Sequence, residues 1–207
     1  MTTIYRCQRG ITIAELLVTA AVIGLIMAGL LSLLLSGQQS YLTGANRAEA
    51  QQNARLVLNQ MVQEIRTAGF DPRNTQSFPA VTALASGTGF VLQNDWNGNG
   101  AINTSGTSTI DGVTHGEQIT YTFSGSSLTR QETGVDSSAV TVTTAINSVT
   151  IQYLDADNVA VSSPSGANAS LIRTVVLNVT TNSDTISSGT VNTVAVNLRD
   201  SVRIRNR

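Results

Sequence analysis

Between Leu16 and Asn46 the chain carries no charged residue. Leu16 to Leu35 is apolar apart from Thr19, Gly24, Gly29 and Ser32. Roughly 20 apolar residues suffice for a helix to cross a bilayer, so this run meets the length of a single span. Arg6 and Arg9 precede it, which keeps the N-terminus on the cytoplasmic side and sends the remainder outward. A secretory signal peptide has a short apolar core closed by a small-x-small cleavage site. This run is too long for that, and no such site closes it, so the anchor is expected to stay attached. The one discordant residue is Glu15, an acid at the head of the run in "RGITIAELLV".

The helical pattern continues past the apolar run. Between Tyr41 and Gly69 there is no proline and one glycine, Gly44. Ala54, Leu58, Met61, Ile65 and Ala68 follow at steps of four and three, which makes one apolar stripe. Asn59, Gln60, Gln63 and Glu64 lie off it. Gly69 is suited to the left-handed position after the last turn, Phe70 to folding back on it, and Pro72 ends the helix. A helix from Ile11 to Ala68 would be about 87 Å long. Its first half is apolar all round and its second half amphipathic, as for a helix leaning on a globular head.

Beyond Gly69 the period changes to two. "EQITYTF" (117–123) places Ile119, Tyr121 and Phe123 on one face, and "SLTRQ" (127–131) follows Gly125 as the return strand of a hairpin. "NSVTIQYLD" alternates Val149, Ile151 and Tyr153; "LIRTVVLNVTT" and "TVNTVAVNLRDSVRIR" are two further strands. Polar turns between them favour an antiparallel sheet over crossover units. Charged residues make up only 12% of the chain and aromatics 4%, and the recurring Val and Ile weigh against disorder. The expected fold is α+β: a long N-terminal helix whose outer stripe covers one antiparallel sheet, with no second domain.

With these features the chain resembles the type IV prepilin and pseudopilin superfamily. A short basic leader, then Gly10, then an apolar stretch with glutamate as its fifth residue, carry the resemblance. "NARLVLNQMVQEIRTAGFDP" and the closing "DSVRIRNR" look like PilW-type minor pilins, and like J-type minor pseudopilins of type II secretion. The resemblance implies that a prepilin peptidase cuts after Gly10, and that Ile11 becomes the N-methylated N-terminus. Phenylalanine is usual at that position, so Ile11 is a mild departure. The leader, including Cys7, the only cysteine, would be lost. The chain would divide into a leader (1–10), an assembly helix (11–40), an amphipathic helix (41–69) and a β-rich head (70–207).

Physical chemistry gives Glu15 a reason to be there. A carboxylate in the apolar layer costs about 2.5–3.5 kcal/mol on insertion scales and needs a partner. No Lys, Arg or His follows within two helical turns. Cleavage after Gly10 would create a cation, the amine of Ile11, at the same depth. In the resembled family this pair joins neighbouring subunits and sets their axial stagger. The plainer alternative is a hydrated Glu15 at headgroup level. Filament-tip subunits often lack this glutamate, so its presence points away from the extreme tip.

"NDWNGNGAIN" (94–103) holds the first half of a calcium loop: Asp95, Asn97 and Asn99 at alternate positions, Gly100 for the turn, and the carbonyl of Ala101. Gly106 stands where the bidentate glutamate belongs, which leaves Asp111 or Glu117 to supply it. Plain Asn-Gly turn chemistry explains the same residues without a metal. His115 is the only histidine and makes no zinc site; it is expected in a turn before the "EQITYTF" strand. No nucleophile elbow, phosphate loop or dinucleotide fingerprint occurs, so no enzyme and no required cofactor are expected. Arg203, Arg205 and Arg207 would share one strand face, with Arg199 nearby. They are either a solvated edge or a contact for a partner minor pilin or, less expected, for DNA during uptake. Net charge is −1, so nucleic acid is not an expected partner.

The sequence therefore reads as a minor pilin of a Gram-negative type IV pilus. It would wait in the inner membrane as a single-pass protein with its head in the periplasm, and then enter the pilus. Expected partners are prepilin peptidase, the inner-membrane assembly platform, other minor pilins and the major pilin. A J-type minor pseudopilin is the nearest alternative. A membrane-tethered binding module or adhesin that never enters a filament is the alternative of another class.

Overall fold

The computed structural model describes residues 10–85, 88–182 and 195–206. Arg6, Cys7, Arg9, Arg207 and the first residues of the last expected strand lie outside them. The chain divides into two compact units, residues 1–44 and 45–207. One helix, α1 (Ile13–Thr67), runs through both. The expected boundaries, Ile11 and Ala68, are two residues and one residue wider.

In the first unit α1 is bare. Ile13, Leu16, Leu17, Leu25 and Leu33 are each 60–82% exposed. An 18-residue window of this helix has a mean hydropathy of 2.5, and none of it is buried in the protein. A core helix of a soluble domain passes the same hydropathy test but is covered by its own fold. This one has no such cover, which fits a single-pass membrane anchor.

In the second unit the helix changes role. All five residues of the expected stripe are buried, four of them completely, and the structure widens the stripe by Ala50, Val57 and Val62. From Val57 to Ala68 these side chains share one core with residues from two antiparallel sheets. The first sheet has the order β1 (Val81–Ala83), β2 (Gly89–Gln93), β5 (Gln118–Ser124), β6 (Ser127–Glu132), β7 (Val140–Thr143). The second has the order β10 (Val196–Arg203), β9 (Thr174–Thr181), β8 (Ile146–Leu154). A two-stranded hairpin, β3 (Thr107–Ile110) and β4 (Val113–Gly116), stands apart from both. The head is thus built on separate sheets rather than the one expected, because β7 leads into β8 without pairing with it.

Alternation explains the inner faces. Tyr121, Phe90 and Leu128 are fully buried on neighbouring strands of the first sheet, and the rings of Phe90 and Tyr121 stack with centroids 5.1 Å apart. Val175, Leu177 and Val179 do the same for the second sheet. The β5–β6 hairpin closes as expected, with Ser124 opposite Ser127 and Gly125 at φ +59°. His115 is in strand β4 rather than in a turn, because Asp111 and Gly112 (φ +50° and +80°) form the tight turn and leave it on the returning strand.

The end of α1 is sewn to the sheet. Gly69 takes the left-handed conformation, φ +80°. Its N–H donates to the carbonyl of Gln93 at 2.8 Å, at the end of β2. Asn206 Nδ2 reaches the carbonyls of Thr67 and Ala68 at 3.0 and 3.3 Å, which satisfies acceptors the last turn leaves open. The expected glycine stop is present, but its partner is a strand rather than the helix itself.

Truncating Ile65, which is fully buried, tests the weight of this stripe. Ile65→Ala should cost about 2–5 kcal/mol, whereas Leu56→Ala, at an exposed position of the same helix, should cost less than about 0.5 kcal/mol. Calorimetric unfolding of the full chain in detergent micelles would show equal losses if the stripe were not the core contact.

Candidate functional site

Two places carry the chemistry, and each lies within one unit. The first is the start of α1. Gly10, Ile11 and Glu15 are all exposed. Thr12 caps the helix: its Oγ1 accepts the N–H of Glu15 at 3.2 Å, and its carbonyl accepts that of Leu16 at 3.2 Å. Thr12 and Glu15 stand in the S/T-x-x-E spacing of a capping box, a signal the sequence reading passed over. An acid in the first turn is also favoured by the positive end of the helix dipole. Among the described residues Glu15 forms no ion pair. Local structure therefore accounts for an acid near this position, and leaves its carboxylate available.

The second place is the loop from Asn94 to Asn103. Asp95 is fully buried and Asn94 is 2% exposed. The Asp95 carboxylate accepts the N–H of Asn99 at 3.1 Å and that of Gly100 at 2.8 Å. Asn97 Oδ1 accepts the Asn99 N–H, and Asn99 Oδ1 the Ala101 N–H, both at 2.8 Å. Gly98 and Gly100 have φ +70° and +84°, which gives the tight curl its shape. Glu117, 1% exposed, enters from the residue just before β5. Its carboxylate accepts the N–H of Asn103 at 2.7 Å and that of Asn97 at 3.4 Å.

The structure thus brings Asp95, Asn97, Asn99 and Glu117 together around one curl. Asp111 is elsewhere. It lies in the turn of the β3–β4 hairpin, beyond the Ile110–Val113 pair, whereas Glu117 follows the opposite end at Gly116. Three residues of strand, roughly 10 Å, separate those ends. Of the two candidates for the missing acid, the one that reaches the loop is Glu117. Among the described residues no group of three or more His, Cys, Asp or Glu side chains could hold a metal; the curl offers two carboxylates, with amide oxygens for the rest.

The loop is also tied to the end of α1. Asn94 Oδ1 accepts the Phe70 N–H at 3.1 Å, and the Asp95 N–H donates to the Phe70 carbonyl at 2.8 Å. The Phe70 ring stacks on Trp96, and Trp96 on His115, each at 5.0 Å.

A polar network not foreseen from the sequence joins helix to sheet beside this loop. Arg130 Nε donates to Glu64 Oε1 at 2.9 Å and Arg130 Nη2 to Glu132 Oε2 at 2.8 Å. Asp136 Oδ2 stands 3.5 Å from Arg130 Nη1. The hydroxyl of Tyr121 donates to Glu64 Oε2 at 2.8 Å. Burial pushes the Tyr121 phenol well above its ordinary range; the adjacent Glu64 charge and hydrogen bond push it further, against a smaller opposing effect of Arg130. Glu64 lies off the apolar stripe, but only the position of β5 and β6 reveals what it faces.

Residues 5–31 match the family model for the prokaryotic N-terminal methylation motif. The match contains Gly10, Ile11 and Glu15. No curated protein matches the chain. The long N-terminal helix packed on antiparallel sheets gives a type IV pilin-like layout behind that prepilin-like N-terminus.

The raised Tyr121 phenol, with Tyr153 raised by burial, predicts an alkaline limit. A phenol whose folded pKa exceeds its unfolded value near 10 leaves stability intact below about pH 10 and removes it as pH rises further. Thermal midpoints of the full chain in micelles should be flat from pH 7 to 9 and fall above 10. Tyr121→Phe should lower the neutral midpoint, at about 0.5–1.5 kcal/mol for the lost hydrogen bond, and soften the alkaline fall. An unchanged alkaline slope in that variant would count against this assignment.

Proposed function

We propose that the chain is a minor pilin of PilW type, processed at the inner membrane and used to prime assembly of a type IV pilus. The observation that carries this reading is a prepilin-like motif at the head of an apolar helix that its own fold leaves uncovered. In this reading prepilin peptidase removes residues 1–10. Ile11 is methylated, residues 11–40 pack among neighbouring subunits, residues 41–69 seat on the head, and residues 70–207 select partners in the periplasm. Glu15 receives the amine of a neighbour's Ile11. The helix dipole disfavours a cation at a helix N-terminus, so a carboxylate at that depth is the partner such an amine needs. The work is association rather than catalysis, with other minor pilins, the major pilin and the assembly platform.

N-terminal sequencing of the mature protein should begin at methylated Ile11. Glu15→Ala should leave it cleaved and in the membrane, with its recovery in sheared filaments reduced by about tenfold, the equivalent of about 1.4 kcal/mol. Normal recovery would sink the ion pair. A J-type pseudopilin would be cleaved in the same way but recovered with secretion pseudopili. An uncleaved protein absent from filaments would be the tethered binding module or adhesin.

A second reading concerns the head. Asp95 and Glu117 are both buried, and among the described residues their carboxylates accept backbone N–H groups of the same curl. Calcium on this curl, with Asn97, Asn99 and the Ala101 carbonyl, would offset two carboxylates in a dry place. With two formal charges the dissociation constant should be about 10⁻⁴–10⁻³ M. Calorimetric titration of the full chain in micelles should give heat and a rise in midpoint, both lost in Glu117→Gln. No heat and no thermal shift at millimolar calcium would remove calcium.

A further inference from the structure

The outer face of the β10–β9–β8 sheet is cationic, and its arginines form no ion pair among the described residues. Across that face Arg199 stands opposite Asn178 and Thr150, Ser201 opposite Val176 and Gln152, and Arg203 opposite Thr174 and Leu154. No carboxylate occurs in these rows. Asp200, the one acid of β10, falls in the alternate row, opposite Leu177 and Ile151; it is exposed at the sheet edge, and its carboxylate accepts the N–H of Ser201 at 2.7 Å. Asp155, in the turn beyond β8, already accepts the N–H groups of Asp157 and Val159 at 2.9 Å.

Two shallow clefts open along this strand. One, of about 560 Å³, is lined by Arg66 of the last turn of α1 with Ser201, Arg203 and Arg205. The other, of about 310 Å³, is lined by Arg199, Gln152 and Asn178. Arg66, Arg199, Arg203 and Arg205 are exposed and form no ion pair with a carboxylate among the described residues. The chain is net −1, so Arg199 and Arg203 of β10, with Arg205 just beyond it and Arg66 lining the same cleft as Arg203 and Arg205, are a local concentration and not a reflection of overall charge. In the second cleft, Asn178 Oδ1 is buried with no hydrogen-bond partner.

We propose that this face docks an acidic segment of a neighbouring protein subunit. The inference rests on the reading of the chain as a filament subunit. Guanidinium forks match carboxylates closely, often through two parallel hydrogen bonds. These few cations, divided between two clefts and without interleaved aromatic rings, make a poor nucleic-acid track. A carboxylate-bearing protein segment supplies the complementary charge at the spacing of these guanidinium groups.

The test uses the full chain in its own cells. Arg199→Glu with Arg203→Glu reverses two exposed charges. The double variant should be cleaved and should unfold at the wild-type midpoint, yet its recovery in sheared filaments should fall about tenfold. A photo-crosslinking residue at position 203 of the otherwise wild-type chain should capture a protein subunit. Wild-type recovery of the double variant would overturn the proposal. So would capture of nucleic acid, or of no protein, from position 203. Absence of the wild-type chain from filaments would instead defeat the filament reading, while the crosslink would still report whether this face meets an acidic protein.

Discussion

Everything in the head is arranged around the burial of one helical stripe. Val57, Met61, Ile65 and Ala68 are fully enclosed, together with core residues of both sheets. Burying such side chains contributes roughly 1.5–3 kcal/mol each for those of Val or Ile size. That gain also fixes the azimuth of the helix, because rotating α1 would expose the stripe and bury Asn59 or Gln63. Once the azimuth is set, Glu64 at the flank of the stripe faces Tyr121 and Arg130, and its two oxygens are both used. The polar clamp thus depends on the apolar contact. Arg130 compensates only part of the negative charge of Glu64, Glu132 and Asp136, so its contribution is to orientation more than to stability.

The same seating decides what happens at Gly69. A helix that ends against β2 can give its next N–H groups to Gln93 and Asn94 instead of to water. Phe70, Asn94, Asp95 and Trp96 then form one knot between the helix end and the curl. Glu117 belongs to the same knot, since its carbonyl accepts the Asn94 N–H at 3.0 Å and its carboxylate closes the far side of the curl. An ion held by Asp95 and Glu117 would therefore tighten the segment that terminates α1, not a remote ornament of the head.

How much of this could be read in the chain follows from the range of each signal. The stripe at Ala54–Ala68 and the glycine stop were legible because helix periodicity and chain termination are local. The β5–β6 hairpin was legible through Gly125 and alternation. The β3–β4 hairpin was missed although "IDGV" is a strong two-residue turn signal, because its strands, Thr107–Ile110 and Val113–Gly116, are polar and carry no apolar alternation. The split into separate sheets was not legible, since alternation gives the faces of a strand but not its neighbours. In the loop, the Asp95–Asn97–Asn99 half was readable from spacing. The choice of Glu117 over Asp111 needed the hairpin between them, whose tip carries Asp111 away.

Charge is distributed in this head by geometry rather than by composition. The acids that matter, Glu64, Asp95, Glu117 and Glu132, turn inward and are met by N–H donors or by Arg130. Arg199 and Arg203 of β10 are exposed and stand opposite uncharged residues of β9. Exposed cations on an edge strand discourage pairing with another strand edge, while leaving the sheet face open to a complementary surface. A nearly neutral chain can in this way present a cationic face without a general attraction for polyanions. That is the electrostatic form expected of a subunit that must choose particular protein neighbours, since complementary charge sets orientation and partner choice more than total affinity.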